Sequence, residues 1–305
     1  DVYKRQLDLF SFDEEERMAR RLEATGRFRI LRKLMPRPVV AREDSSFAHV
    51  ALLIDTETTG LRHGIDEVIE MGAVAFTYDD HGTIGDVVGV FGGLQQPSVP
   101  IPPEITQLTG ITDAMVAGQQ IDLAALERLT DTADLVIAHN AAFDRRFCEG
   151  LSACFEVKAW ACSHAEIPWR DLGFEGSKLS YLLSQCGLFH DGHRAVDDCH
   201  ALLEVLARPA GADGRSAFAH LLDSSGRTRR RIYAEHTPFD LKDVLKRRGY
   251  RWSDGSDGRP KCWWVEVDEG AYDSELTFLR QEIYRREEAD PVTVTLTALD
   301  RFKAA

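Results

Sequence analysis

The sequence predicts an α/β protein built on a mixed sheet flanked by helices, with a helical N-terminal extension and a small α+β unit at the C-terminal end. Three observations carry that prediction. The apolar run Val50-Ala51-Leu52-Leu53-Ile54 reads as a strand buried on both faces. Strands come first in succession and then alternate with helices, the pattern of a mixed sheet with helices packed on it. A chain of 305 residues is about two domains' worth, enough for each to bury its own core.

The elements follow in order. Ser11 with Glu14 three residues later has the form of a capping box. It opens an amphipathic stretch through Met18, Leu22, Phe28, Leu31 and Met35, weakened at Gly26 and ended by Pro36 and Pro38. After the Val50–Ile54 strand come strands at Val68–Phe76 and Val87–Phe91, a rigid loop at Pro97–Pro103 and a short helix at Glu104–Leu108. A helix at Ile121–Leu129, a strand at Asp134–Ala138 and helices at Ala141–Leu151, Lys178–Cys186 and Ala195–Ala207 complete this part. Ala207–Arg227, rich in Gly, Ala, Ser, Asp and Arg, reads as a linker, within which Phe218–Leu222 could extend a helix. Beyond it lie a strand at Arg231–Ala234 and a basic helix at Leu241–Arg248 stopped by Gly249. Aromatic segments (Tyr250, Trp252, Trp263, Trp264) flank a turn at Asp254–Gly258, followed by a helix around Ser274–Glu288 and a β-branched tail at Val292–Leu296. The resulting division is 1–47, an N-terminal helical extension; 48–208, the main α/β domain; 209–226, a linker; and 227–305, a small basic and aromatic domain.

Composition excludes several classes. Hydrophobic residues at 44% and charged residues at 29% describe a globular chain. Five consecutive apolar residues fall far short of a membrane span. The charged N-terminus has no apolar core of a signal peptide, although the chain opens on Asp1 as a fragment or processed form would. Six cysteines without a C-x-x-C pair point to reduced thiols in a cytoplasm. The net charge of −13 is unevenly spread: residues 50–208 hold 9 Lys and Arg against 24 Asp and Glu, residues 227–261 hold 11 against 5. An acidic middle collects cations, and basic flanks suit a polyanion.

The sharpest signal is Asp55-Thr56-Glu57-Thr58-Thr59-Gly60, directly after the buried strand. Positions i and i+2 of a strand share a face, so Asp55 and Glu57 present two carboxylates side by side. Such a pair is costly unless a cation neutralises it, and a hard divalent ion prefers that all-oxygen environment. Asp144 falls in the first turn of the Ala141 helix, a position that a helix dipole alone also favours. In His193-Arg194-Ala195-Val196-Asp197-Asp198, periodicity separates the two acids. Ala195, Asp198, Cys199, Leu202 and Leu206 share the apolar face; Asp197, Ala201, Glu204 and Arg208 share the polar one. Asp198 is therefore the inward carboxylate that needs a partner.

With those residues on view, Asp55 and Glu57 in D-T-E-T-T-G, Asp144 in H-N-A-A-F-D, and His193 with Asp198 at H-x4-D resemble the three motifs of the DEDDh 3′–5′ exonucleases. The family includes the proofreading epsilon subunits of bacterial DNA polymerase III. Leu108-Thr109-Gly110-Ile111-Thr112 resembles the family's L-T-G-I-T segment, and the likeness spans roughly residues 48–208. One departure is Trp160-Ala161-Cys162-Ser163, where relatives often carry an Asp-Thr pair.

The resemblance implies a ribonuclease H-like mixed five-stranded sheet and hydrolysis of phosphodiester bonds at single-stranded or frayed 3′ ends of DNA, releasing nucleoside monophosphates in proofreading or repair. It implies two divalent cations, Mg²⁺ or Mn²⁺, about 4 Å apart. Asp55, Glu57 and Asp198 would hold the first, Asp55 and Asp144 the second. His193 would take the proton from the attacking water. Glu57 and the Thr58 and Thr59 backbone would contact the 3′-terminal nucleotide, Leu61 would wedge against its base, and Asn140 would orient the substrate. The same motifs serve exoribonucleases that trim RNA, and a catalytically silent DNA- or clamp-binding module is the reading from another class.

The flanks add two expectations. Gln6-Leu7-Asp8-Leu9-Phe10 resembles the pentapeptide with which bacterial enzymes dock on the sliding clamp, its anchors being Gln6, Leu7, Leu9 and Phe10. In the C-terminal unit, Lys246, Arg247, Arg248 and Trp252 combine charge with an aromatic face, as phosphate contact and base stacking require. A core role for Trp252, Trp263 and Trp264 explains the same aromatics. DNA 3′ ends, with a clamp or polymerase as protein partner and no membrane, are the expected partners.

Overall fold

The computed structural model describes residues 14–45, 47–256 and 258–303. The clamp-like pentapeptide and the Ser11 cap lie outside the described residues. Helix α1 (14–23) stops short of the expected Met35, because Gly26 takes φ 71° and turns the chain away. Its expected apolar stripe is exposed, Met18 at 61% and Met35 at 77%. What fixes this arm is charge: Arg32 bridges Glu16 and Glu23 at 3.0 and 2.9 Å. Arg32 opens a two-residue strand, β1 (Arg32–Lys33), that pairs in parallel with Leu188–Phe189.

The main sheet has five strands in the order β4-β3-β2-β5-β6. These are β2 (His49–Thr58), β3 (Val68–Tyr78), β4 (Ile84–Leu94), β5 (Leu135–Ala138) and β6 (Trp160–Cys162). β2, β3 and β4 are antiparallel neighbours, whereas β5 and β6 run parallel to β2. Period-2 alternation divides β2 between two cores. Val50, Leu52 and Ile54 pack with Leu126 and Phe147, whereas Ala51 and Leu53 pack with Leu182, Leu202 and Phe218. Two helices, α2 (Pro103–Thr109) and α3 (Asp113–Val116), meet at Gly110, φ 72°, and Thr112, whose side chain caps α3 by accepting from the Met115 amide. The layers of the sheet are α4 (Leu123–Asp131) and α5 (Ala141–Leu151) on one face. On the other lie α7 (Leu179–Gln185), α8 (Ala195–Ala207) and α9 (Ala217–Ser225), and a short α6 (Ser163–Glu166) follows β6. The two-residue strand at Leu188–Phe189, β7, precedes α8.

Residues 209–226, expected as a linker, carry α9, whose Phe218 is fully buried with its ring edge-on to Phe76 and Tyr78. α8 is buried nearly all round. Ala201, placed on its polar face by periodicity, is at 0% exposure within the apolar core, and Arg37 of the N-terminal arm pairs with Glu204 of the same helix at 2.6 Å.

The C-terminal unit is an antiparallel sheet, β11-β8-β10-β9. Its strands are β8 (Arg229–Ala234), β9 (Arg251–Trp252), β10 (Trp263–Asp268) and β11 (Val292–Leu296). α10 (Lys242–Arg247) and α11 (Tyr272–Phe278), the latter continued by a π-helical turn at Leu279–Tyr284, cover it and bury Ile232, Leu245, Trp263 and Leu279. The tail after β11 returns to the larger sheet. The Trp160 amide donates to the Ala298 carbonyl at 2.8 Å, and Arg301 pairs with Glu166, both side chains buried. Among the described residues no helix is long and apolar enough to cross a membrane.

Candidate active site

The site forms where β2 outruns β5. Their parallel pairing ends at Leu53 and Ile137, and β5 then turns through His139 and Asn140 into α5. The acids therefore sit at the carboxyl ends of two parallel strands, the position where open α/β sheets bind ligands. Asp55 and Glu57 lie within β2 itself, which the sequence ended too early. They share the face of Ala51 and Leu53, toward α8.

Glycine brings α8 there. Asp55 lies opposite Gly72 of β3. A Cβ on Gly72 would meet the Ala195 carbonyl carbon at 2.3 Å and the Val196 nitrogen at 2.4 Å. No larger residue permits this approach of backbone on backbone. It sets Asp198 against the strand, so that ligand oxygens of Asp55, Glu57 and Asp198 all lie within 4.8 Å of one another. Asp198 faces inward with 13% of its side chain exposed, whereas Asp197 is exposed.

Asp144 belongs to the neighbourhood but not to that trio. It approaches from the α5 side, where its Oδ1 accepts from the Thr56 amide at 3.1 Å and the Thr56 hydroxyl at 2.8 Å. Burial and the charge of Asp144, with those of Asp198 and Glu57, push the Asp55 carboxyl well above the usual carboxylate range. Glu57 is pushed up to about 8 by burial and by Asp198 and Glu70. Burial also raises Asp144 to about 7, against the two Thr56 hydrogen bonds. Protons hold these acids together unless cations replace them. The donor set is all carboxylate oxygen, in the chemistry of a hard divalent ion. The residues fit the expected metal.

The surrounding groups were not all foreseen. Glu70, directly across from Glu57 in β3, accepts the Arg194 guanidinium at 2.8 Å and the Ala195 amide at 3.0 Å, pinning the start of α8. One acid in the apolar run Val68-Ile69-Glu70-Met71 was the signal for it. His190 was also missed: its Nε2 sits 2.6 Å from Asp198 Oδ1, while the Arg194 amide donates to Oδ2 at 3.1 Å. His193 is exposed and takes φ 65°, a left-handed conformation uncommon for a side-chain-bearing residue. Thr58 and Thr59 are buried and engaged. The Thr59 amide donates to the Glu67 carbonyl, and the Thr58 hydroxyl donates to the Gly60 carbonyl. Leu61 is 83% exposed, and Asn140 is exposed with no side-chain bond capping α5. His139 is structural, held between Ser163 and Ser177 and lowered to about 4 by burial.

In the C-terminal unit, Arg248 is committed internally, paired with Glu275 at 2.9 Å and 4.0 Å above the Phe278 ring. Lys246 lies over Trp263, and Arg247 donates to the Asp243 carbonyl. Trp263 and Trp264 are core residues; Trp252, at 51%, is exposed.

The profile of the family described as Exonuclease matches residues 52–206, about half of the chain. The DNA polymerase III subunit epsilon of Treponema pallidum (strain Nichols) is 34% identical over 172 residues, covering 52% of this chain and 75% of that subunit. The PolC-type DNA polymerase III of Clostridium perfringens (strain 13 / Type A) is 32% identical over 177 residues, 55% of this chain but only 12% of that polymerase. Among solved structures, Exonuclease X in complex with 5′ overhanging duplex DNA covers 55% of this chain and 99% of its own, at 24% identity and a TM-score of 0.39. The nuclease domain of 3′hExo, a DEDDh family member, bound to rAMP, covers 53% and 92% respectively, at 17% identity and a TM-score of 0.41.

Proposed function

The chain belongs to the exonuclease family, and from that premise we propose that it removes nucleoside monophosphates from single-stranded or frayed 3′ ends of DNA, in proofreading or repair in the cytoplasm. The observation that carries this reading is the meeting of Asp55, Glu57 and Asp198 within 4.8 Å. The relatives named for DNA polymerase III support DNA as the substrate.

Asp55, Glu57 and Asp198 would hold one divalent cation, and Asp55 with the free oxygen of Asp144 a second, Mg²⁺ or Mn²⁺. Cations held there supply positive charge to the scissile phosphate and favour ionisation of the attacking water. The remaining work falls to the chain's own groups. Arg194, clamped on Glu70, fixes the start of α8 and with it Asp198. His193 accepts the proton of the attacking water from an exposed loop. Leu61 stacks against the terminal base, and Asn140 orients the strand. The division expected from the sequence remains our proposal with one change: residues 209–226, whose α9 packs into the nuclease core, join the nuclease part, and the tail from residue 297 packs on it.

Digestion of matched 5′-labelled DNA and RNA oligonucleotides with Mg²⁺, Mn²⁺ or a chelator tests the reading. A shrinking 5′-labelled ladder on DNA that the chelator abolishes is the expected result. Equal or faster loss of RNA reassigns the substrate to an exoribonuclease's, and no hydrolysis with either metal leaves a silent binding module.

A further inference from the structure

A cleft opens against the same helix that carries Asp144. Asn140 and Ala142 at the start of α5 form one wall, and the four-stranded sheet forms the other. Its volume is about 430 Å³. Six arginines and one lysine line it; Arg231 is paired with Glu266, Arg229 with Asp268 and Arg301 with Glu166, and the rest of the lining still carries an excess of positive charge in a chain of net charge −13. Such a concentration of one sign in a concave site focuses the field on an anion.

The arginines are organised rather than scattered. Arg251, Arg259 and Arg231 lie 4.2, 4.5 and 5.3 Å from the ring of Trp264, a buried platform at 6% exposure. Stacking on a fixed ring positions a guanidinium, whose planar fork suits phosphate oxygens; Arg231 in addition donates to Glu266 at 2.7 Å. Across the cleft, Arg146 carries a buried Nε with no hydrogen-bond partner. The basic residues expected from sequence, Lys246, Arg247 and Arg248, are absent from the lining.

We infer that this cleft holds the sugar–phosphate backbone of the strand whose 3′ end lies at the carboxylates, several nucleotides to the 5′ side of the cleaved bond. The inference rests on the nuclease reading above. Asn140 and Asp144 are one turn apart on α5, so a strand leaving the carboxylates crosses the first turn of that helix and enters the basic cleft. The C-terminal sheet thereby becomes the second half of the substrate site.

The test uses the full chain with Arg251→Glu and Lys303→Glu, singly and together, both on the cleft lining and neither among the carboxylate ligands. Substrates are the p-nitrophenyl ester of thymidine 5′-monophosphate, a trinucleotide, and a single strand of about twenty nucleotides. Hydrolysis of the ester and the trinucleotide is expected to match the unaltered chain. KM for the long strand is expected to rise about tenfold in the double variant, and the slope of log affinity against log salt to flatten by roughly 0.7 per lost contact. Unchanged KM and slope on the long strand overturn the inference. So does a polyglutamate peptide that competes as well as DNA, because the cleft would then take an acidic protein. Anisotropy of the long strand in chelator reads binding without turnover. If the unaltered chain hydrolyses nothing, the nuclease reading fails while this arm still decides the cleft.

Discussion

At Asp198 several demands fall on one carboxylate. It takes a histidine on one oxygen and a backbone amide on the other, and it stands within 4.8 Å of Asp55 and Glu57. Its inward orientation was legible in the 3-and-4 spacing of the helix. His190 was not, because a loop residue eight positions upstream reaches Asp198 only through a backbone path that no periodicity encodes. A set of alanine variants assayed on labelled DNA separates these roles. Asp198→Ala is expected to lose on the order of 10³-fold or more in turnover, and Asp197→Ala to lose little. His193→Ala is expected to lose about 10²–10⁴-fold while strand binding persists. A second expectation concerns pH. Glu57 and Asp144, raised to about 8 and 7, bind protons more tightly folded than unfolded. The stability they contribute is fully present only below their ordinary values, 4.5 and 3.8, and is lost progressively as pH rises from there to about 8 and 7. In chelator, the melting temperature is expected to fall on the order of 5 °C between mildly acidic pH and about 8, and Mg²⁺ or Mn²⁺ to flatten the fall. A flat profile in chelator would show that the acids do not crowd one another.

Among elements, α8 and β3 depend on the absence of a side chain. Gly72→Ala places a methyl inside 2.4 Å of helix backbone, so α8 must shift and take Asp198 with it. Denaturant titration is expected to show a loss of about 1–3 kcal/mol, with turnover falling more than stability. Stability unchanged within error would mean that the helix relaxes freely. Long periodic elements were readable in sequence; Ala141–Leu151 and Ala195–Ala207 appear with those very bounds. Short ones were not. Trp160–Cys162 is three residues long and is a strand only because β5 lies beside it, and Arg32–Lys33 owes its pairing to Leu188–Phe189. Neither carries a period of its own.

Across the whole molecule the two sheets are joined by charge taken out of water. Arg301 enters from the tail, pairs with Glu166 and donates to the Ser224 and Ser225 carbonyls of α9. Arg145, fully buried on α5, donates to the tail carbonyls of Leu299 at 2.9 Å and Arg301. Arg301→Ala strands Glu166 and is expected to cost about 3–5 kcal/mol, read by denaturation of the full chain. A loss below 1 kcal/mol would mean that the tail is a loose appendage. Composition marked the charge asymmetry of the C-terminal unit but not its destination, since the contacts join residues 76 to 156 positions apart.

The pairing of Arg32–Lys33 with Leu188–Phe189, tied again by Lys33 to Asp191 at 2.7 Å, reaches further than its two residues. It braces the stretch from which His190 and His193 emerge. Pruning the gene to the nuclease segment with β2 whole, starting at residue 48, would spare every acid of the site yet unmoor both imidazoles. Such a minimal enzyme is expected to grip cations normally in calorimetry and to turn over slowly; full speed would show the brace to be ornamental.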